Sequence, residues 1–274
     1  MSPRITTCIF CGRTDLSEEH IWPKWAHATL RKSPSSGAYI QKKWKTSPNS
    51  RWIRGETFHK ETPTDIFKIS LKVVCEKHCN NGWMSGLETK AKPILIPLIT
   101  GTHAVLDRYR QEVVANWIAM KLLTCEFSDP EDIATPELER SLFMGRRHPP
   151  NIMAIWIARC AALGWTNTYW RQAATLGWAP FGTLPDLSGG PLPKNTQSQT
   201  FVIGELFVQA VSTTVPGVAF NTPPQVARST RQIWPFKAPF LWPPGPSLSD
   251  NDVRFIATAF NRYTSRLPFS PGRR

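Results

Sequence analysis

The sequence lacks the features that would place it in several common classes. No stretch approaches the roughly 18 uninterrupted apolar residues of a membrane-crossing helix. The longest apolar run of note, residues 94–99, is short and contains Pro97. No membrane association is therefore expected. The opening residues, MSPRITTCIFCGR, lack the apolar core of a secretory signal. A cytoplasmic location follows as the expectation, in a compartment where thiols stay reduced. No internal repeat, glycine-rich phosphate loop or Ser-His-Asp ordering occurs. Acidic residues are also scarce: 20 Asp and Glu face 33 Lys and Arg, a net charge of +13. Such an excess favours a polyanionic partner, and nucleic acid is the commonest one.

The basic charge is uneven. Residues 1–92 hold 16 Lys and Arg against 8 Asp and Glu, whereas residues 93–274 hold 17 against 12. The densest part is residues 31–60, with eight basic residues and one acid, Glu56. Lys42, Lys43, Lys45, Arg51 and Arg54 lie there, interleaved with Trp44 and Trp52. Cations meet phosphates and exposed aromatics can stack on unpaired bases, so these five are candidate nucleic-acid contacts. A solvated loop with locally packed tryptophans is the plainer alternative.

Six cysteines are present. In a reducing compartment they are candidates for metal binding or for the core before disulfides. Cys8 and Cys11 are two residues apart and followed by Gly12, a spacing that lets both sulfurs face one tetrahedral ion. Cys75 and Cys79 form a second pair, with three residues between them. Four thiolates on two knuckles would make a closed structural zinc site. His78 is an alternative ligand in the second knuckle. Cys125 and Cys160 fall in apolar patterns and read as core.

A strand is expected over Ile69–Val74, then a helix from near Asn80 that ends by Pro93. Glu112–Phe127 has apolar residues at helical spacing, and Pro136–Met144 reads as another helix. Strands are expected over Ile152–Cys160, Thr168–Ala174 and Thr200–Val211, with a loop over about 177–199. Trp156, Trp165, Trp170 and Trp178 in or beside them read as core. A helix over Asn251–Tyr263, capped from the Ser-Leu-Ser-Asp before it, closes the chain. The expected class is α+β, with a knuckle module over 1–99, a basic insertion at 26–68, and a helical and antiparallel-sheet region over 103–274.

CIFCGRTDLSEEHIWPKW followed by VVCEKHCNNGWMSGLE resembles the zinc-knuckle branch of the HNH endonucleases. The resemblance covers about the first 95 residues without the insertion. It implies a ββα-metal finger and metal-dependent hydrolysis of phosphodiester bonds, with DNA as the expected target. His20 matches the general base, for which a neutral imidazole suits cellular pH. Glu19 and Asn80 match ligands of a catalytic divalent ion, for which magnesium suits oxygen donors. Ser70 stands where the family usually has its middle asparagine, and the second knuckle is one residue longer than usual. Both departures leave open a zinc-dependent nucleic-acid-binding protein without catalysis. Asn81, Ser85 and Glu88 fall near one helical face, so Glu88 could support the ion from the helix or simply face solvent.

Overall fold

A computed structural model of the chain describes residues 5–30, 39–41, 69–162, 167–175, 193–216, 218, 220 and 222–259. The fold is α+β. The first strand, β1 (Leu16–His20), is followed by α1 (Lys24–Leu30) and a short β2 (Tyr39–Gln41). Strand β3 (Ser70–Cys75) returns antiparallel to β1, pairing His20 with Ser70 and Leu16 with Cys75. The chain then winds through Glu76–Met84, with a kink of non-helical backbone at Gly82, and continues into α2 (Ser85–Ile99). This helix starts at Ser85, after Asn80, and passes through Pro93, contrary to the expected bounds. Ala91, Leu95, Leu98 and Ile99 form a buried stripe across the proline. That packing outweighs the cost of the missing backbone donor.

Strand β4 (Ala104–Leu106) leads into α3 (Arg108–Cys125), whose first turn is capped by the Asp107 side chain accepting from the Arg110 amide. Every residue of α3 from Val113 to Cys125 is buried, so the helix is the central strut of the molecule. Next come α4 (Glu137–Arg146), β5 (Met153–Arg159), β6 (Tyr169–Ala174), β7 (Thr196–Ile203), β8 (Leu206–Thr213), β9 (Thr230–Trp234), β10 (Phe240–Trp242) and α5 (Asp250–Ala257). Six strands form one sheet in the order β2-β6-β7-β8-β5-β9, antiparallel except where β2 joins β6. The helix α5 starts at a capping box between Ser249 and Asp252. The expected extension to Tyr263 runs beyond the described residues.

Two expectations for the sheet need correction. The segment expected as one strand over 200–211 is the β7–β8 hairpin, and β7 starts at Thr196, inside the expected loop. Thr196–Thr200 is polar in sequence yet fully buried. Its glutamines have partners: Gln197 donates to Glu126 and accepts from Arg171 Nε, and Gln199 accepts from Tyr169. A buried polar strand of this kind reads as a loop until its partners are known.

The turn between β7 and β8 depends on Gly204, at φ +56°. A Cβ there would lie 2.4 Å from the Ile99 carbonyl at the end of α2. Gly204→Ala meets both an unfavourable backbone and a clash. It should destabilise the fold by more than about 1 kcal/mol, measured as a lowered urea midpoint with an unchanged slope.

One hydrophobic core runs from the knuckle residues Ile9 and Phe10 through α2 and α3 to Ile155, Phe201 and Val208 of the sheet. Trp22 meets Phe201 edge-on at 4.7 Å between ring centroids. A second cluster, including Trp170, Phe207 and Val253, lies under α5 on the other sheet face. Cys125 and Cys160 are buried outside the cysteine cluster, 1% and 2% exposed.

Candidate metal centre and the residues around it

Local backbone bonds shape the first knuckle. Cys8 N–H donates to the Arg13 carbonyl and Gly12 N–H to the Cys8 carbonyl, with Gly12 at φ +73°. Ile9 N–H then joins the knuckle to Val73 of β3. The second pair straddles the end of β3: Cys75 is its last residue and Cys79 sits in the following turn. Four residues apart at the start of a helical winding, the two side chains share a face. The longer second knuckle therefore still closes on the first.

The thiols of Cys8, Cys11, Cys75 and Cys79 all lie within 4.8 Å of one another. Sulfur–sulfur distances are 3.6 Å for Cys8–Cys79, 3.4 Å for Cys11–Cys75 and 3.6 Å for Cys11–Cys79. Tetrahedral zinc with Zn–S near 2.3 Å sets its sulfurs about 3.8 Å apart. The group can hold a metal ion such as zinc. His78 is exposed, and Cys79 is the residue that joins the cluster. Contact with Cys79 draws the Cys8 thiol down to about 4, while burial pushes Cys11 up to about 11. A cation entering the cluster would displace protons from its thiols.

The second half of the chain holds the knuckle. Arg140 of α4 donates through Nε to the Ile9 carbonyl at 3.1 Å. Phe10, Trp83 and Phe143 meet edge-on or tilted, at 5.2 to 6.2 Å. The Arg147 guanidinium lies 4.2 Å from the Trp83 ring centroid.

His20 ends β1, half-buried, opposite Ser70 in the hairpin register. Glu18 shares its strand face by alternation, and Ser70 Oγ donates to Glu18 Oε2 at 3.0 Å. Asn80 reaches the same hairpin, its Nδ2 donating to Ser17 Oγ and to the Glu18 carbonyl, both at 3.0 Å.

Glu19 points the other way. It is 8% exposed, and its carboxylate meets Lys121 of α3 at 2.5 Å. Lys121, 1% exposed, also contacts Glu88 of α2 at 2.6 Å and donates to the His20 carbonyl at 3.1 Å. Burial opposes the ammonium charge, but Glu19 and then Glu88 outweigh it and hold the amine above its ordinary value. The donor set at Glu19 does not fit a divalent ion, because the carboxylate is engaged by Lys121 on the face away from His20.

Glu18 and Lys121 were not singled out in the sequence. Glu18 could have been found from strand alternation with His20. Lys121 reads as a helix-surface charge, since it stands in an amphipathic pattern and its partners lie over 30 residues away. The candidate contacts Lys42, Lys43, Lys45, Arg51 and Arg54 lie outside the described residues, as do Trp165 and Trp178.

Among the described residues no helix is long and apolar enough to cross a membrane. No protein-family model, curated protein or solved structure matches the chain.

Proposed function

We propose that the chain is an HNH-type endonuclease that hydrolyses phosphodiester bonds, with DNA as substrate, and that zinc in the four-thiol cluster is structural. The observation that carries this reading is the local unit itself. An antiparallel hairpin leads into a helix, two cysteine knuckles converge at their junction, and His20 sits at the opposite end of the hairpin, paired with Ser70. Ser70, Glu18 and Asn80 surround that end with polar groups.

In this reading His20 takes a proton from the attacking water, as a neutral imidazole can near neutral pH. Asn80 and Ser70 fix the hairpin backbone and the Glu18 carboxylate beside it. Glu18 is the carboxylate on the His20 face that would hold a divalent ion such as magnesium, which would supply charge stabilisation at the phosphate. The net charge of +13 would bring the polyanion to the site.

The test is nicking of supercoiled plasmid by the zinc-loaded protein with magnesium or manganese. His20→Ala should lower the rate by roughly 10²- to 10⁴-fold, with zinc content unchanged. Equal nicking by both proteins would remove His20 from the role.

A second reading is favoured by one observation, the engagement of Glu19 by Lys121. It makes the chain a zinc-dependent nucleic-acid-binding protein without cleavage. A wild type that binds plasmid at low salt, retains zinc and never nicks it under either metal would establish this second reading.

A further inference from the structure

We propose that Lys121 is the resident cation of a buried oxygen cradle formed by Glu19, Glu88 and the His20 carbonyl, so that Glu19 binds no metal ion in the native protein. The claim concerns what balances these charges, and it stands whether or not the protein cleaves nucleic acid.

The three oxygens come from two segments: Glu19 and His20 from the end of β1, and Glu88 from α2. They converge on one atom, Lys121 Nζ, at 2.5, 2.6 and 3.1 Å. The ammonium donates hydrogen bonds to Glu19 Oε1 and to the His20 carbonyl, and Glu88 Oε1 faces it as an ion pair. Lys121 itself is 1% exposed, so its charge has no recourse to water and depends on the cradle. Conversely, without the lysine the buried Glu19 carboxylate would be left uncompensated beside Glu88, whose side chain is 24% exposed, and that is unfavourable. The cradle's oxygens and net negative charge are the features that a hard divalent cation also selects. The lysine supplies from within the chain the positive charge that such an ion would bring. It comes from α3, the central helix, so the hairpin end bearing His20 is held by the region that follows the knuckle module.

Two measurements on the full-length, zinc-loaded protein test this. In the first, manganese binding is followed by electron paramagnetic resonance for wild type and Glu19→Gln. Glu19→Gln keeps the Lys121–Glu88 pair and a carbonyl oxygen toward the ammonium. The expected result is the same bound manganese in both proteins. Loss in Glu19→Gln of a manganese site present in wild type would overturn the proposal.

In the second, thermal melts with and without calcium are compared for wild type, Lys121→Ala and Lys121→Ala/Glu19→Gln. Calcium should raise the midpoint of Lys121→Ala by about 5 °C or more and leave the other two unchanged. A folded Lys121→Ala indifferent to calcium would show that the cradle is not a cation position. If Lys121→Ala does not fold with or without calcium, the manganese comparison decides. Failure of plasmid nicking by wild type bears on the nuclease reading alone.

Discussion

Stripping zinc from protein loaded at the four-thiol cluster is expected to unfold the hairpin and its helix. Cys8, Cys75 and Cys79 are buried, at 4%, 0% and 0% exposure. The hairpin they close has strands of only five and six residues, Leu16–His20 and Ser70–Cys75. A two-stranded hairpin this short is marginal by itself, and its two strands are separated in sequence by residues 21–69. Structural zinc in small knuckles contributes about 10–16 kcal/mol at neutral pH, more than the whole stability of most domains. The hairpin shares its core with α2, α3 and the sheet, so its loss should propagate. A strong chelator, or Cys75→Ser, should release one zinc per chain and abolish near-ultraviolet circular dichroism. Cys160→Ala, outside the cluster, should keep zinc and cost only the cavity it leaves. Unchanged dichroism and melting after complete chelation would show that the thiols are core residues and nothing more.

The knuckles were legible in the sequence because their signal is local. Cys8 and Cys11, then Cys75 and Cys79, are identified by spacing, and the structure joins the pairs through β3 pairing with β1. Spacing alone left His78 against Cys79 open, and the turn after β3 resolves it by turning Cys79 inward. Helix α3 was legible from its apolar period, although burial all round it was not, since Lys121, Asn116 and Gln111 look like surface residues. Polar burial was the general blind spot. Thr196–Thr200 reads as loop, yet Glu126, Arg171 and Tyr169 satisfy it from elements far along the chain. The same holds for Glu19. Its sequence neighbour is His20, but a strand sends neighbours to opposite faces, and its partner Lys121 is recognisable only once α3 is packed beneath the hairpin.

That partnership makes Lys121→Met the point substitution with the largest expected cost outside the cysteines. Methionine matches the length of the lysine stem and would keep much of its packing, so the loss is chiefly electrostatic. It leaves Glu19 and Glu88 facing each other at low exposure without a counter-charge. Breaking one member of a buried ion pair typically costs about 3–5 kcal/mol. Substituting all three together, Glu19→Gln with Lys121→Met and Glu88→Gln, removes the charges as well as the pair and should recover most of that loss, as buried ionic groups replaced by neutral ones often do. Denaturant unfolding of the single and triple variants separates these cases. A triple variant no more stable than Lys121→Met would mean that the lysine acts by packing. The pH dependence gives a second check with a defined sign. The amine is held above its ordinary 10.5 in the folded chain. Its contribution is therefore complete below 10.5 and is lost as pH rises through the higher folded value. The stability gap between wild type and Lys121→Met should stay level from pH 7 to pH 9 and narrow only at more alkaline pH. A gap that closes below pH 9 would contradict a lysine charged by its two carboxylates.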